Sequence, residues 1–163
     1  MLFHFPNLAT HNHKYRFNGL IDEEKYAAFC EGRTGVPVVD AGVRELLETG
    51  LMHNRVRMIC ASFFTKDLLL PWQWGERFFA QYLLDYDAAS NILSWQWSAG
   101  TGIDPQPYLR GFNPYLQAKK YDKNAEYIKK YCPELTQIPS NKSDSLSTPI
   151  NLRTCPQFQR KIV

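Results

Sequence analysis

Two stretches of this chain put side chains with chemical potential on single helical faces. In the first, Asn54, Arg55, Arg57 and Met58 crowd the opening turns of an apolar-periodic segment. Asn54 and Met58 are four residues apart and share a face, and Arg57 borders it. Two guanidinium groups, an amide and a thioether can together meet phosphate, a base edge and an apolar ring. A solvated helix start is the bland alternative. Positive charge near a helix N-terminus is unfavourable against the macrodipole, however, so an anionic group nearby is expected.

In the second stretch Asp85 and Asp87 precede a helix in which Asp87, Asn91 and Trp95 recur every four residues. They make one polar-to-aromatic stripe where a core-facing helix would carry Leu or Ile. Asp87 is explained as an N-cap, but Asn91 is not; a buried amide needs hydrogen-bond partners, and a polar ligand could supply them. Paired carboxylates also suit acid–base work or a metal. His53 lies some thirty residues away, so no metal site is expected. Four tryptophans form two Trp-Gln-Trp units, residues 72–74 and 95–97, suited to core packing or to stacking on a base or flavin ring.

These residues need a helical frame, and the pattern supplies one. Asp22-Glu23-Glu24 opens a segment running to Gly32, and Pro37 starts a helix stopped by Gly50. A third helix is expected from His53 to Leu70, a fourth from Trp74 to Leu84 and a fifth from Asp87 to Ala99. A turn-rich loop then runs from Gly100 through Pro107, followed by weaker helices over Pro114–Lys120 and Asn124–Tyr131. No alternating strand pattern or internal repeat is visible. The expectation is all-α, with a lead-in over 1–20, a helical domain over 21–135 and an irregular tail over 136–163.

Composition sets wider bounds. With 44% hydrophobic and 21% charged residues the chain is globular rather than disordered, and a net charge of +3 permits an acidic partner without requiring one. Cys30, Cys60, Cys132 and Cys155 are too dispersed for a zinc knuckle or a disulfide framework. Neither a membrane span nor a signal peptide is visible, so a cytoplasmic setting is expected.

The run Glu31-Gly32-Arg33-Thr34-Gly35-Val36-Pro37-Val38-Val39-Asp40-Ala41 resembles the EGxTGxPxVDA signature of the photolyase/cryptochrome family. The resemblance continues through Gly50–Met58, Lys66–Leu69, Trp72, Asp85-Tyr86-Asp87, Asn91, Trp95-Gln96-Trp97, Gly102–Tyr108 and Phe112-Asn113-Pro114. It covers about residues 29–135 in order. The chain is most similar to the C-terminal part of the FAD-binding helical domain of class I cyclobutane pyrimidine dimer photolyases. Asn rather than His at 54, and Asn at 91 rather than Asp or Cys, imply repair rather than signalling.

The resemblance implies FAD as cofactor, approached by Asn54, Arg57, Asp85, Tyr86, Asp87 and Asn91, with Asn91 facing the reactive ring nitrogen. It places Asn54, Arg55, Met58 and Trp97 against DNA carrying a flipped dimer, and makes Trp95 and Trp72 the first steps of an electron-hopping chain. Photolyases as a class take the target base out of the stack. The implied reaction is transfer of an electron from light-excited reduced FAD to the dimer, and its return after ring opening.

Several family parts have no counterpart here: the α/β domain that holds the antenna chromophore, the phosphate-gripping loop, and an outermost tryptophan near residues 15–20. Gly111 stands where a β-branched residue is usual, and Thr148-Pro149-Ile150 is the only echo of the family's ending. The expectation is a truncated or split product, inactive alone, whose missing half lies on a separate chain. A vestigial fragment and a cryptochrome-like flavoprotein or interaction module are the alternatives.

Overall fold

A computed structural model describes residues 21–101 and 112–136. Of these, 71% are helical and none is in a strand, so the all-α expectation holds. The lead-in over 1–20, the positions near 15–20, most of the Gly100–Pro107 loop, Gly111 and the tail beyond position 136 fall outside the described residues.

Local chemistry sets most helix ends. α1 (Glu23–Cys30) is capped by Asp22, whose carboxylate accepts from the Lys25 N–H at 3.0 Å. α2 (Pro37–Thr49) has Pro at its first turn and ends at Gly50, which takes the left-handed φ of 71°. α3 (Asn54–Ser62) begins after His53, whose Nδ1 accepts from the Arg55 N–H at 3.2 Å. α4 (Trp72–Tyr82) follows Pro71 directly, two residues earlier than expected. α5 (Ala88–Ala99) is capped by Asp87 and closed by Gly100. α6 (Pro114–Tyr121), α7 (Glu126–Tyr131) and a single 3-10 turn (Pro133–Leu135) complete the described chain.

The third helix departs from its expected span. Its α-helical bonding stops at Ser62, and Phe63–Asp67 widen into a π turn, with the Leu68 N–H donating to the Phe63 carbonyl at 3.0 Å. The Thr65 hydroxyl donates to the Ala61 carbonyl at 2.8 Å, a back-bond that competes with the helical ladder. The segment then breaks at Leu69, a non-glycine residue held at φ 58°.

α2 is the hub of one half, packing on α1, α3, α6 and α7; α5 packs on α3 and α4 in the other. Gly42 permits the α2–α3 approach, since a Cβ there would lie 2.4 Å from Val56 Cγ1. The core joining the halves is aromatic. Phe64 meets Phe29 edge-on at 4.8 Å and Trp95 at 5.5 Å, and Phe79 meets Trp95 at 5.0 Å. Arg44 ties the C-terminal end to α2, donating to the carbonyls of Gly32 at 3.0 Å and Tyr131 at 3.3 Å and to Glu134 at 2.6 Å.

Candidate cofactor pocket

The opening turns of α3, the C-terminal part of α4, the loop Leu83–Asp87 and one face of α5 enclose a cavity of about 680 Å³. This lies within the usual 300–1,000 Å³ range of small-molecule sites. Its wall is apolar, built by Ala61, Phe79, Leu83 and Trp95, and its rim carries Asn54, Arg57, Asp85, Asp87 and Asn91. Residues separated in sequence by a loop and two helices therefore meet because α3 and α4 both pack on α5.

Arg57 is locked from two sides. Its Nε donates to the Met52 carbonyl at 2.7 Å, and its Nη2 donates to both Asp85 oxygens at 2.9 and 2.8 Å. Asp85 is thus the anion that the charge at the start of α3 required. The pair leaves the Nη1 edge of the guanidinium for a ligand. Asp87 both lines the cavity and caps α5, accepting from the Ser90 N–H at 2.7 Å. That hydrogen bond holds its carboxyl below the ordinary range.

Asn91 is anchored rather than loose. Its Nδ2 donates to the backbone carbonyl of Glu76 at 3.2 Å and to Glu76 Oε1 at 3.1 Å. With its donor side held by α4, the amide keeps its Oδ1 as an acceptor. The Tyr86 hydroxyl donates to the same Glu76 Oε1 at 3.2 Å. Partial burial and the Glu76 carboxylate push that phenol above its ordinary range. Glu76 is the residue sequence reasoning missed. It lies at the Trp72, Gly75, Glu76, Phe79 spacing of the inward face of α4, and a carboxylate at such a position was the signal to follow.

Of the expected site residues, Asn54, Arg57, Met58, Asp85, Tyr86, Asp87, Asn91, Trp95 and Trp97 line this one cavity. Two do not. Arg55 points elsewhere, its guanidinium lying 4.8 Å from the Tyr121 ring centroid. Trp72 is buried on α4 at 6% exposure, outside the cavity lining. Among the described residues no group of three His, Cys, Asp or Glu could hold a metal ion, and no helix is long and apolar enough to cross a membrane.

The flavin ring system has an apolar benzenoid edge and a polar edge of carbonyls and N–H groups, and the donor set fits it. Arg57 can donate, Asp85 and Asp87 can accept, Asn91 offers its amide oxygen, and the apolar wall matches the rest.

An all-helical scaffold that folds an apolar slot around a fixed cation, a capping carboxylate and an anchored amide defines a helical cofactor-binding domain. The family model described as the FAD binding domain of DNA photolyase matches residues 1–160, and the chain belongs to that family. It is 54% identical over 119 residues to the deoxyribodipyrimidine photo-lyase of Vibrio cholerae, a match covering 73% of this chain and 25% of that one. Its fold is similar to that of a class III photolyase from Agrobacterium tumefaciens, with TM-score 0.79 and 42% identity over 93% of this chain and 33% of that one. It is also similar to a photolyase from Sulfolobus tokodaii solved with two FAD molecules, with TM-score 0.74 and 43% identity over 82% of this chain and 30% of that one. The chain thus spans about a quarter to a third of the length of these relatives.

Proposed function

We propose that this chain builds the flavin-ring side of an FAD pocket and acts within a class I photolyase that repairs cyclobutane pyrimidine dimers in DNA. The observation that carries this reading is the convergence of Arg57, Asp85, Asn91 and Trp95 on one cavity of about 680 Å³. Arg57 sets positive charge at the rim, fixed by Asp85 and the Met52 carbonyl, and so favours an anionic ring. Asn91, oriented by Glu76, presents an acceptor to a ring N–H. Bound FAD in its fully reduced form supplies, on absorbing light, the electron that opens the cyclobutane ring and is then returned. Asn54, Met58 and Trp97, which line the cavity, receive the flipped dimer, and Arg55, outside that lining and beside the Tyr121 ring, meets the DNA strand.

The remaining pocket wall and the antenna site come from sequence equivalent to the rest of the relatives' length, on this polypeptide or on a separate chain. The free thiols Cys30, Cys60 and Cys132 suit the cytoplasm.

Titration of the purified chain with FAD, followed by absorption and fluorescence, tests the reading. Saturable binding with a shifted flavin spectrum is expected. Affinity should fall at least about tenfold in Asn91→Ala, the loss of one hydrogen bond to a charged ring. Illumination with dimer-containing single-stranded DNA then tests repair. Absence of FAD binding by a chain with native circular dichroism would refute an autonomous flavin pocket in this segment, and absence of any effect of Asn91→Ala on FAD binding in the chain joined to the remaining wall would refute the pocket assignment.

A further inference from the structure

We propose that the Ser98 hydroxyl, in the cavity wall on α5, donates to a ring carbonyl of the pyrimidine dimer and helps to hold the substrate. The proposal rests on the flavin-pocket reading above and adds a substrate contact to it.

One line of residues along α5 and its cap faces the cavity. Asp87, Asn91, Ser94 and Ser98 follow one another at spacings of four, three and four, the period of a single helical face, and all four line the cavity. A face turned toward packed core would carry Leu or Ile at these positions. Asp87 caps the helix and Asn91 is anchored on Glu76, so two of the four have a structural partner. Ser98 is the most secluded of the line, at 5% exposure. This chain alone shields it, so its burial does not depend on sequence elsewhere in the relatives' length.

The hydroxyl is also unused by the fold. The Thr49 and Thr65 hydroxyls donate to the carbonyls four residues back at 2.7 and 2.8 Å, the ordinary recourse of a hydroxyl in a helix. Ser98 makes no such back-bond, and its hydroxyl has no hydrogen-bond partner among the described residues. A hydroxyl held in this way beside Ala61 and Trp95 carries a desolvation cost that a ligand acceptor relieves.

Position along the helix selects the ligand. Ser98 stands seven residues beyond Asn91 and eleven beyond Asp87, a rise of about 10 and about 16 Å. A flavin whose polar edge meets Arg57, Asp85 and Asp87 turns its benzenoid end away from them, and that end has no acceptor. The acceptor for Ser98 therefore comes from a second ring. Ser98 follows Trp97, which the reading above assigns to the dimer, and a pyrimidine dimer carries two carbonyls on each ring.

The test compares wild type with Ser98→Ala in the chain joined to the remaining wall. Alanine removes only the hydroxyl oxygen and is the better helix former, so the fold is retained. Binding of a dimer-containing oligonucleotide, of its undamaged counterpart and of FAD is measured in the dark by fluorescence titration. Kd for the dimer should rise about three- to tenfold, the loss of one hydrogen bond, with the other two constants unchanged. Equal dimer affinity in the two proteins overturns the proposal. A fall in FAD affinity overturns it as well, since the hydroxyl would then serve the cofactor. A wild type that binds no FAD defeats the flavin-pocket reading instead. The dimer arm read without flavin still decides this proposal, where a three- to tenfold loss in Ser98→Ala upholds the contact and equal or absent binding overturns it.

Discussion

Replacing Gly75 with alanine tests the contact that seats Trp95 in the pocket wall. The added Cβ would stand 2.2 Å from Trp95 Cη2, 2.5 Å from Cζ3 and 2.9 Å from Cζ2, each far inside van der Waals contact. The ring has little room to retreat. It is 1% exposed and wedged between Phe64 at 5.5 Å and Phe79 at 5.0 Å, both edge-on. Overpacking of a filled core costs about 1–3 kcal/mol, and an overlap above 1 Å against a rigid indole belongs at the upper end. Alanine in a helix interior returns about 1 kcal/mol over glycine. The net expectation is a loss of about 2 kcal/mol, or roughly 10 °C in Tm for a domain of this size. Urea unfolding followed by tryptophan fluorescence measures it, and FAD titration should show a parallel loss, because a displaced Trp95 intrudes on the cavity. A variant about 1 kcal/mol more stable than the parent would show helix propensity acting alone, and would refute the seating of Trp95 on α4.

Three further outcomes follow from the site. The Arg57–Asp85 pair is partly exposed, with side-chain exposures of 27% and 54%, so a double-mutant cycle with Arg57→Ala and Asp85→Ala should give a stability coupling below about 1 kcal/mol. FAD affinity in the same variants should fall at least about tenfold, separating positioning of the ligand from holding of the fold. Glu76→Leu removes the acceptor shared by Asn91 and Tyr86, whereas Glu76→Gln keeps its oxygen. FAD binding should therefore weaken in Glu76→Leu and largely recover in Glu76→Gln, and equal loss in both would exclude the anchoring role. Asp87 has its carboxyl lowered by the Ser90 N–H, so its contribution is present above the ordinary 3.8 and lost as pH falls through the lower folded value. Asp87→Asn keeps the cap without the titration, and the stability difference between parent and variant should shrink as pH is taken from 5 to 2, measured by urea unfolding.

The parts of the fold legible in sequence were those fixed by local chemistry. Pro37 and Gly50 bracket α2 because one lacks the N–H that a first turn cannot use and the other accepts a left-handed φ. Asp87 and Gly100 bracket α5 for related reasons. The π turn at Phe63–Asp67 was not legible, because Phe63 and Phe64 continue the apolar period of the helix before it and the sequence there holds no proline or glycine to mark the change. For the site, the charge at the start of α3 demanded an anion, but its identity as Asp85, 28 residues on, required the packing of α3 against α5. Asn91 was visible as an anomaly on its helix face; Glu76 was marked only by its place on the inward face of α4, and the pairing of the two emerges once α4 is laid beside α5.

The most recognisable stretch of the sequence lies outside the cavity. In the run from Glu31 to Ala41, Asp40 is 5% exposed and accepts from the Thr34 N–H at 2.7 Å, the Thr34 hydroxyl at 2.7 Å and the Gly35 N–H at 3.0 Å. Burial nevertheless raises its carboxyl above the ordinary range, so these hydrogen bonds offset only part of a desolvation cost. The run folds a loop over the start of α2, Arg44 clamps it to the far end of the domain, and none of its residues lines the cavity. A chain could therefore keep this signature and its fold while losing the Arg57–Asp85 pair or the Glu76–Asn91 anchor, and with them the flavin contacts proposed above. The present chain retains both sets, and the second set, not the signature, is the physical ground for assigning it a cofactor-binding role.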